Sequence, residues 1–146
     1  MGDVMIAVEK IKEGVVIDHI PAGKGISLLT LLGCSSHSKN VALLLNANSG
    51  EFGKKDILKI SGRELSQEEL SIVSLLAPCA TVNIISHGEV VKKFRPELPD
   101  VLRVGSCPNP KCITKIEGAE EFLKEGNEYR CKYCERLFSP EELVSS

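Results

Sequence analysis

Three stretches in the first half of the chain have the residues typical of β-strands. Glu13–Pro21 contains a β-branched run that opens after Gly14 and stops at a proline. Asn40–Asn46 is a continuous apolar run between asparagines, which is typical of a strand covered on both faces or near the centre of a sheet. Apolar and polar residues alternate in Lys55–Ser61. This alternation predicts a strand with Asp56, Leu58 and Ile60 on one face and Ile57, Lys59 and Ser61 on the other.

Apolar residues spaced three or four positions apart predict two helices. The leucine-rich segment Gly25–Gly33 suits a short helix that a glycine ends. Ser66 and Glu69 form a serine-x-x-glutamate capping box, and the apolar pattern after it predicts a helix that ends before Pro78. Two more strands are predicted around a turn at His87–Gly88, over Ala80–Ser86 and Glu89–Phe94.

The predicted order of elements is β-α-β-β-α-β with an added final strand. Two helices crossing one face of an antiparallel sheet is the ferredoxin-like solution to this order, because each sheet face and each helix stripe must be buried. Another two-layer α+β arrangement is the alternative. The predicted fold class is α+β.

The segment Arg95–Pro99 interrupts this pattern with two prolines, and cysteines and turn residues dominate after it. A chain of 146 residues can form one domain or two small ones. We therefore expect two domains, residues 1–96 and residues 97–146.

Composition and charge exclude several classes of protein. An apolar share of 42% and a net charge of -2 are typical of a globular chain. Residues 1–95 carry eleven Lys and Arg against ten Asp and Glu, and residues 96–146 carry seven against ten, a net charge of -3. Neither half has the cationic excess of a nucleic-acid binder. With no secretory signal and no apolar run near the roughly 20 residues that cross a bilayer, we expect a cytoplasmic protein without a membrane partner.

Four cysteines in the second domain have the spacing of a zinc site. Cys107 and Cys112 form a C-x4-C pair, and Cys131 and Cys134 form a C-x2-C pair after eighteen intervening residues. Tetrahedral zinc takes four soft ligands from two short loops, and four thiolates leave no open position for a catalytic water. We expect one structural Zn²⁺ in a small β-rich domain, because a segment this short rarely folds without such support.

Two disulfides, or a redox-active pair at Cys131 and Cys134, are the alternatives to zinc. Disulfides do not suit a reducing cytosol, and the redox hypothesis leaves Cys107 and Cys112 without a role. Cys34 and Cys79 lie outside this arrangement, and we expect both to be buried and inert.

Several polar residues interrupt the predicted apolar strands, and burying one without a partner costs about 1 to 3 kcal/mol. Each can be a solvated or locally satisfied group. Together they supply a carboxylate suited to ribose hydroxyls, an imidazole, an amide and ammonium groups suited to phosphate, as Asp18, His19, Asn83, Lys59, Lys92 and Lys93. Strand alternation puts Asp18 and His19 on opposite faces unless a bulge or strand end intervenes. No catalytic motif is present, and we expect no catalytic residue.

Separate motifs are spread over nearly the whole chain, at Gly14–Ala22, Ser49–Asp56, Ala77–Asn83, Cys107–Ile113 and Cys131–Cys134. In their residues and their order, these motifs resemble the aspartate carbamoyltransferase regulatory chain family. The resemblance implies a non-catalytic regulatory subunit in pyrimidine biosynthesis, with a ferredoxin-like allosteric domain that binds CTP and ATP competitively. It also implies a zinc domain that contacts the catalytic chain, and pairing of regulatory chains as dimers.

The resemblance further implies which residues contact the nucleotide. By position, the side-chain contacts are Asp18, His19, Lys59, Asn83 and Lys93, and the backbone or apolar contacts are Lys10, Ile11, Val16, Ile85, Gly88 and Val90. In this family pattern Lys59 contacts ribose and base, Asp18 contacts ribose and Lys93 contacts phosphate. Lys10 and Gly88 replace a small and an aromatic residue of the pattern, so base preference can differ.

Two other functions compete with this hypothesis. A zinc-ribbon adaptor for nucleic acid would carry basic and aromatic residues in its C-terminal half, whereas this half has a net charge of -3. A thiol redox enzyme would carry a reactive thiol of low pKa and hold no metal.

Overall fold

The structure, a computed structural model, describes residues 12–34, 40–48, 50, 53–118 and 120–144. The chain forms two compact units. The first contains the described residues up to Leu65 together with Cys79–Arg95, and the second contains Ser66–Pro78 together with the described residues from Pro96 onwards. The predicted domain boundary between residues 96 and 97 assigns Ser66–Pro78 to the first domain, and it stays a prediction.

A five-stranded antiparallel sheet forms most of the first unit. Its strands, in chain order, are β1 (Gly14–Pro21), β2 (Val41–Asn48), β3 (Lys54–Ser61), β4 (Thr81–Ser86) and β5 (Glu89–Phe94). The order across the sheet is β2-β3-β1-β4-β5, and every neighbouring pair is antiparallel. The first four strands have the ferredoxin-like order, and β5 is the added strand at one edge. The predicted α+β class is confirmed.

Residue alternation decides which sheet face is buried in the first unit. Asp56, Leu58 and Ile60 of β3 are fully buried, while the residues between them are partly exposed. This confirms the two faces predicted for this strand. Helix α1 (Gly25–Leu31) contacts β2 and β3, and its Leu28 is fully buried.

The prediction that the apolar run Asn40–Asn46 is covered on both faces or lies near the sheet centre is wrong. The strand β2 lies at the edge of the sheet, paired only with β3 among the described strands. Leu44 and Leu45 are 38% and 46% exposed. An apolar run does not distinguish a central strand from an edge strand that a partner covers, because burial by a second chain leaves the same pattern.

The described residues of the second unit form a four-stranded antiparallel sheet and three helices. Its strands, in the order β6-β7-β8-β9, are Val101–Leu102, Phe122–Glu125, Glu128–Cys131 and Leu137–Phe138. Its helices are α2 (Gln67–Leu76), α3 (Thr114–Glu117) and α4 (Pro140–Val144). Helix α2 contacts α4, and Leu75 joins the buried cluster of Leu102, Phe122, Tyr129 and Leu143.

Within the described ranges, no helix combines the length and the apolar character needed to cross a membrane.

Candidate functional site

The predicted cysteine ligands meet in the second unit. Cys107 and Cys112 lie in the loop that precedes α3, while Cys131 ends β8 and Cys134 lies in the following turn. All four Sγ atoms lie within 4.8 Å of one another. The Sγ atoms of Cys107 and Cys134 are 3.7 Å apart, as are those of Cys112 and Cys131. Four sulfurs arranged tetrahedrally around zinc at about 2.3 Å would be about 3.8 Å apart, so the cluster fits a tetrahedral metal.

Two thiols of the cluster differ in pKa because their surroundings differ. Burial raises the pKa of the Cys107 thiol to about 12. Hydrogen bonds from Thr114 lower the pKa of Cys112 to about 6, and the Thr114 hydroxyl donates to the Cys112 sulfur at 3.2 Å. A metal that binds all four sulfurs must displace the remaining thiol protons, which makes its binding pH-dependent. Four sulfur ligands leave no coordination position for substrate, so the site fits a structural metal.

The two cysteines outside the cluster differ from each other. Cys34 is 2% exposed, as predicted, and Arg63 donates to its sulfur at 3.7 Å. The prediction that Cys79 is buried is wrong, because its side chain is exposed in the turn before β4. A position just ahead of a strand does not by itself decide burial, which depends on what the turn packs against.

Four predicted nucleotide contacts form one row across the sheet of the first unit. Val16 of β1 is the cross-strand partner of Lys59 on β3 and of Asn83 on β4, and Asn83 is in turn the partner of Lys93 on β5. Cross-strand partners point to the same side of a sheet, so the row lies on the face opposite the buried residues of β3. The Asn83 amide donates to the Val16 carbonyl at 3.2 Å, which orients its side chain.

An apolar pair lies beside this row. Ile85 is two residues after Asn83 on β4, and its cross-strand partner on β5 is Val90. Ile85 is 8% exposed, whereas Val90 is 56% exposed. Gly88 occupies the intervening turn with a φ of 78°, and its N–H donates to the Lys12 carbonyl at 2.9 Å. The face therefore combines polar groups with an apolar surface on which a flat ring can pack.

A β-bulge brings Asp18 and His19 together despite strand alternation. The register between β1 and β3 shifts between Ile17 and Ile20, and His19 has a φ of 60°. Asp18 accepts a hydrogen bond from the His19 N–H at 2.6 Å, and the His19 Nδ1 lies 3.8 Å from the Asp18 carboxylate. Asp18 and His19 were expected on opposite faces of the sheet unless a bulge intervened, and this bulge does intervene. Both side chains can therefore contribute to one site.

Lys55 holds Asp18 in its ionised form. Burial opposes ionisation of Asp18, but the hydrogen bond and charge of Lys55, whose Nζ lies 2.9 Å away, outweigh it and lower the pKa of the carboxyl group. Sequence reasoning did not single out Lys55. Lys55 precedes Lys59 by four residues on β3, so strand alternation places both side chains on the same face of the sheet. This even spacing could have indicated Lys55 as a residue of the site.

Lys10 and Ile11 lie outside the described residues, and the nucleotide role of the whole set stays a prediction.

All the comparisons with known proteins indicate the same family. Residues 6–97 match the allosteric domain of the aspartate carbamoyltransferase regulatory chain, and residues 99–144 match the metal binding domain of the same chain. Curated relatives that carry this name include chains of Pyrococcus horikoshii, at 44% identity over 97% of both chains, and Halobacterium salinarum, at 44% identity over 94% of this chain and 92% of the relative. The relative from Sulfolobus acidocaldarius is 42% identical over 96% of this chain and 90% of its own length. The chain belongs to the family of aspartate carbamoyltransferase regulatory chains and is a regulatory, non-catalytic subunit with an allosteric and a metal-binding domain.

Proposed function

We propose that the chain binds CTP and ATP as competing allosteric effectors on the polar sheet face of its first unit, and docks on the catalytic chain of aspartate carbamoyltransferase in pyrimidine biosynthesis. In this proposal residues 1–96 form the allosteric domain and residues 97–146 form the zinc-binding domain. The observation that carries the nucleotide proposal is the row of Lys59, Val16, Asn83 and Lys93 across four adjacent strands.

The chemistry of this face matches the parts of a nucleotide. Ammonium groups bind phosphate through charge-assisted hydrogen bonds, so Lys93 is suited to phosphate. The ionised carboxylate of Asp18 accepts hydrogen bonds from ribose hydroxyls, and Lys59 and Asn83 supply polar contacts to ribose and base. His19 adds a ring nitrogen beside Asp18. Ile85 and Val90 provide apolar contact, and Lys10, Ile11 and Gly88 complete the set through their backbone.

An effector bound here acts on the enzyme through differential affinity. A nucleotide shifts the quaternary equilibrium only by binding one state more tightly than the other, and typical couplings between sites are about 1 to 3 kcal/mol. CTP and ATP compete for one site, so opposite effects on the enzyme require opposite preferences for its two states.

We propose one structural Zn²⁺ as the metal of the four-cysteine cluster. Thiolates in tetrahedral geometry favour zinc, and the cluster lies inside the core of the second unit beside Phe122 and Tyr129. Metal bound by the four cysteines would cross-link the loop before α3 to the end of β8. Reduced thiols are stable in the cytoplasm, which is the compartment that we propose.

Exposed apolar residues of the second unit are suited to docking on the catalytic chain. Ile113, directly after Cys112, is 46% exposed, and Ile116, in the following helix α3, is 84% exposed. Tyr133 and Leu137, near the other cysteine pair, are 43% and 39% exposed. A contiguous exposed apolar patch marks a protein interface, and in this proposal the four side chains form such a patch. The acidic balance of residues 96–146 favours a protein partner over nucleic acid.

We also propose that regulatory chains pair through the edge of β2 that no described strand covers. Leu44 and Leu45 are partly exposed on this strand, and an uncovered apolar edge strand is a template for pairing with another chain. At the opposite edge, β5 carries Lys92 and Lys93, and charged residues of this kind protect an edge from pairing.

Isothermal titration of CTP and ATP into the full-length, zinc-loaded chain tests the nucleotide proposal. We expect saturable binding of both nucleotides, competition between them, and loss of at least tenfold in affinity in Lys59→Ala. Lys124→Ala, which removes an exposed lysine of the second unit, is the matched control and should bind as the unsubstituted chain does. Absence of binding, or equal binding by Lys59→Ala, would contradict the proposal.

A further inference from the structure

Two buried polar side chains lie against the four-cysteine cluster without being part of it. Asn109 is 8% exposed and Thr114 is 3% exposed, and both belong to the segment that carries Cys107 and Cys112. A buried amide or hydroxyl group is destabilising unless it is hydrogen-bonded, so its partners identify its role. Each of these two side chains donates to a sulfur atom of the cluster.

Thr114 donates to the Cys112 sulfur from its backbone and from its side chain. The distance from the hydroxyl Oγ1 to the Sγ is 3.2 Å. A hydroxyl group has one hydrogen to donate, so this hydrogen bond uses the whole donor capacity of the side chain. Thr114 is the first residue of helix α3, and the backbone of the helix therefore fixes the position of its hydroxyl beside the sulfur.

Asn109 joins the loops of the two cysteine pairs. Its Oδ1 accepts a hydrogen bond from the Lys111 N–H at 3.1 Å, which leaves the amide nitrogen to donate elsewhere. The side chain donates to the sulfur of Cys134, in the turn that carries the other pair. Pro108 and Pro110 flank Asn109 and restrict the backbone on both sides of it. Asn109 is thus held in a stiff loop and reaches across to the second pair.

The cluster needs such donors because a divalent cation neutralises only half of the charge of four thiolates. The remaining negative charge is buried, and hydrogen bonds to the sulfurs offset the cost of burying it. At Cys134 burial opposes ionisation, but hydrogen bonds from the Arg136 backbone, the Asn109 side chain and neighbouring thiols outweigh it and lower the pKa of the thiol. Backbone donors come with the shape of the loops, whereas the two side-chain donors depend on residue type.

We propose that Asn109 and Thr114 are positioning residues for the metal, each of which holds one thiolate by a hydrogen bond and so slows metal release without binding the metal itself. The inference rests on the proposed structural Zn²⁺. Groups that hydrogen-bond to metal ligands typically contribute about 10- to 100-fold to metal affinity. The two donors act on Cys112 and Cys134, one from each pair, so removing both should speed release more than removing either.

Zinc release from the full-length, zinc-loaded chain into an excess of a chromogenic chelator tests the role of Thr114. Thr114→Val removes the hydroxyl group and keeps the shape of the side chain, whereas Thr114→Ser keeps the hydroxyl and removes a methyl group. We expect release about tenfold faster from Thr114→Val and close to the unsubstituted rate from Thr114→Ser. If packing were the role of Thr114, the order of the two variants would reverse. That reversal, or equal rates in all three chains, would overturn the assignment.

The same measurement tests Asn109 with two variants. Asn109→Asp keeps an oxygen that can accept from Lys111, Asn109→Ala adds no charge, and the donor to Cys134 is the feature that both lose. We expect release about tenfold faster from Asn109→Ala and faster still from Asn109→Asp, which adds negative charge beside a thiolate. Asn127→Asp adds the same charge in the exposed turn between β7 and β8 and should leave the rate unchanged. Unchanged release from Asn109→Ala would overturn the role of Asn109.

The absorption spectrum of the cobalt-substituted chain distinguishes hydrogen bonding to sulfur from the stability of the loops. A hydrogen bond stabilises the sulfur electrons, so its loss moves the thiolate-to-cobalt charge-transfer band to longer wavelength. We expect this shift in Thr114→Val and Asn109→Ala and no shift in Thr114→Ser. A Thr114→Val chain that holds no metal while Thr114→Ser holds it would be the extreme form of the expected result.

The unsubstituted chain separates failure of this inference from failure of the proposed metal site. If it binds neither zinc nor cobalt, the metal site and the inference both fail. If it binds metal and every variant has the same release rate and the same spectrum, the metal site stands and the inference alone fails.

Discussion

Asp56 is a buried carboxylate whose hydrogen bonds are satisfied by the backbone. Its Oδ2 accepts from the N–H groups of Gly23 at 3.0 Å and Gly25 at 2.9 Å, and its Oδ1 accepts from the Asn46 N–H at 3.0 Å. A buried charge is tolerated only when it is paired or fully hydrogen-bonded, and three backbone donors meet that condition. Asp56 thereby joins the start of α1 and the bulged part of β2 to β3.

Gly25→Ala should destabilise the chain because the added methyl group has no room. An ideal Cβ at this position lies 2.8 Å from the Asp56 Oδ2 and 2.9 Å from the Asp56 Cβ. We expect a loss of about 1 to 3 kcal/mol in the free energy of unfolding, the usual cost of overpacking, measured by urea denaturation. Ser27→Ala, at an exposed position two residues later in the same helix, is the control and should change the stability little. Equal stability of Gly25→Ala would show that Asp56 moves aside without cost.

The orientation of the His19 side chain relative to Asp18 could not be predicted from the sequence. Its residue type and its neighbour Asp18 indicated a ligand site, but alternation alone placed the two side chains on opposite faces. The left-handed backbone of His19 and the accompanying bulge change that relation. A histidine can adopt this conformation as a minority state, so the sequence permits the bulge without specifying it.

At the scale of elements, the local signals predicted α2 well. The Ser66 hydroxyl accepts from the Glu69 N–H at 3.2 Å, and the Glu69 carboxylate accepts from the Ser66 N–H at 2.9 Å, which is the predicted capping box. The helix ends at Leu76, before Pro78. A cap acts between residues three positions apart, so its effect is readable from the sequence.

Ser66→Ala should weaken α2 by removing the side-chain acceptor for the Glu69 N–H. We expect a loss of about 1 kcal/mol in the free energy of unfolding. Both tyrosines of the chain, Tyr129 and Tyr133, belong to the second unit, and the chain has no tryptophan. Tyrosine near-ultraviolet circular dichroism therefore follows the unit that contains α2. Gln67→Ala, at the exposed first position of the helix, is the control; an equal effect of the two substitutions would argue against capping as the cause.

The same signals did not indicate which core α2 joins. The prediction placed the helix with the first sheet, while Leu75 packs in the second unit with Leu102 and Leu143. The apolar stripe of a helix shows that it is buried but not against what. Likewise, the pattern of β2 predicted a strand and failed to predict its position at the sheet edge.

At the scale of the whole molecule, the four-cysteine cluster is part of the core of the second unit. Cys107, Cys112 and Cys131 are buried in the same cluster as Phe122 and Tyr129. The unit is small and its strands are short, so metal binding is expected to supply much of its folding free energy.

Loss of metal should unfold the second unit. Chelation, or the substitution Cys112→Ser, is expected to release the proposed Zn²⁺ and abolish the tyrosine near-ultraviolet circular dichroism signal, because metal binding contributes apparent free energies of about 10 to 16 kcal/mol in small zinc peptides. The metal content of the same samples is measured by mass spectrometry. Cys79→Ser, outside the cluster, should retain both metal and signal. A second unit that keeps its signal after complete chelation would show that its core folds without metal.

The sequence by itself determined the five strands and two helices before Arg95, the α+β class and the cysteines that cluster in the second unit. Each follows from relations between near neighbours: alternation, capping, proline and glycine stops, and cysteine spacing. The tertiary structure alone decided the edge position of β2, the core that Leu75 of α2 joins and the bulge at His19. These features depend on contacts between residues far apart in the chain, whose free energies no local pattern of residues records.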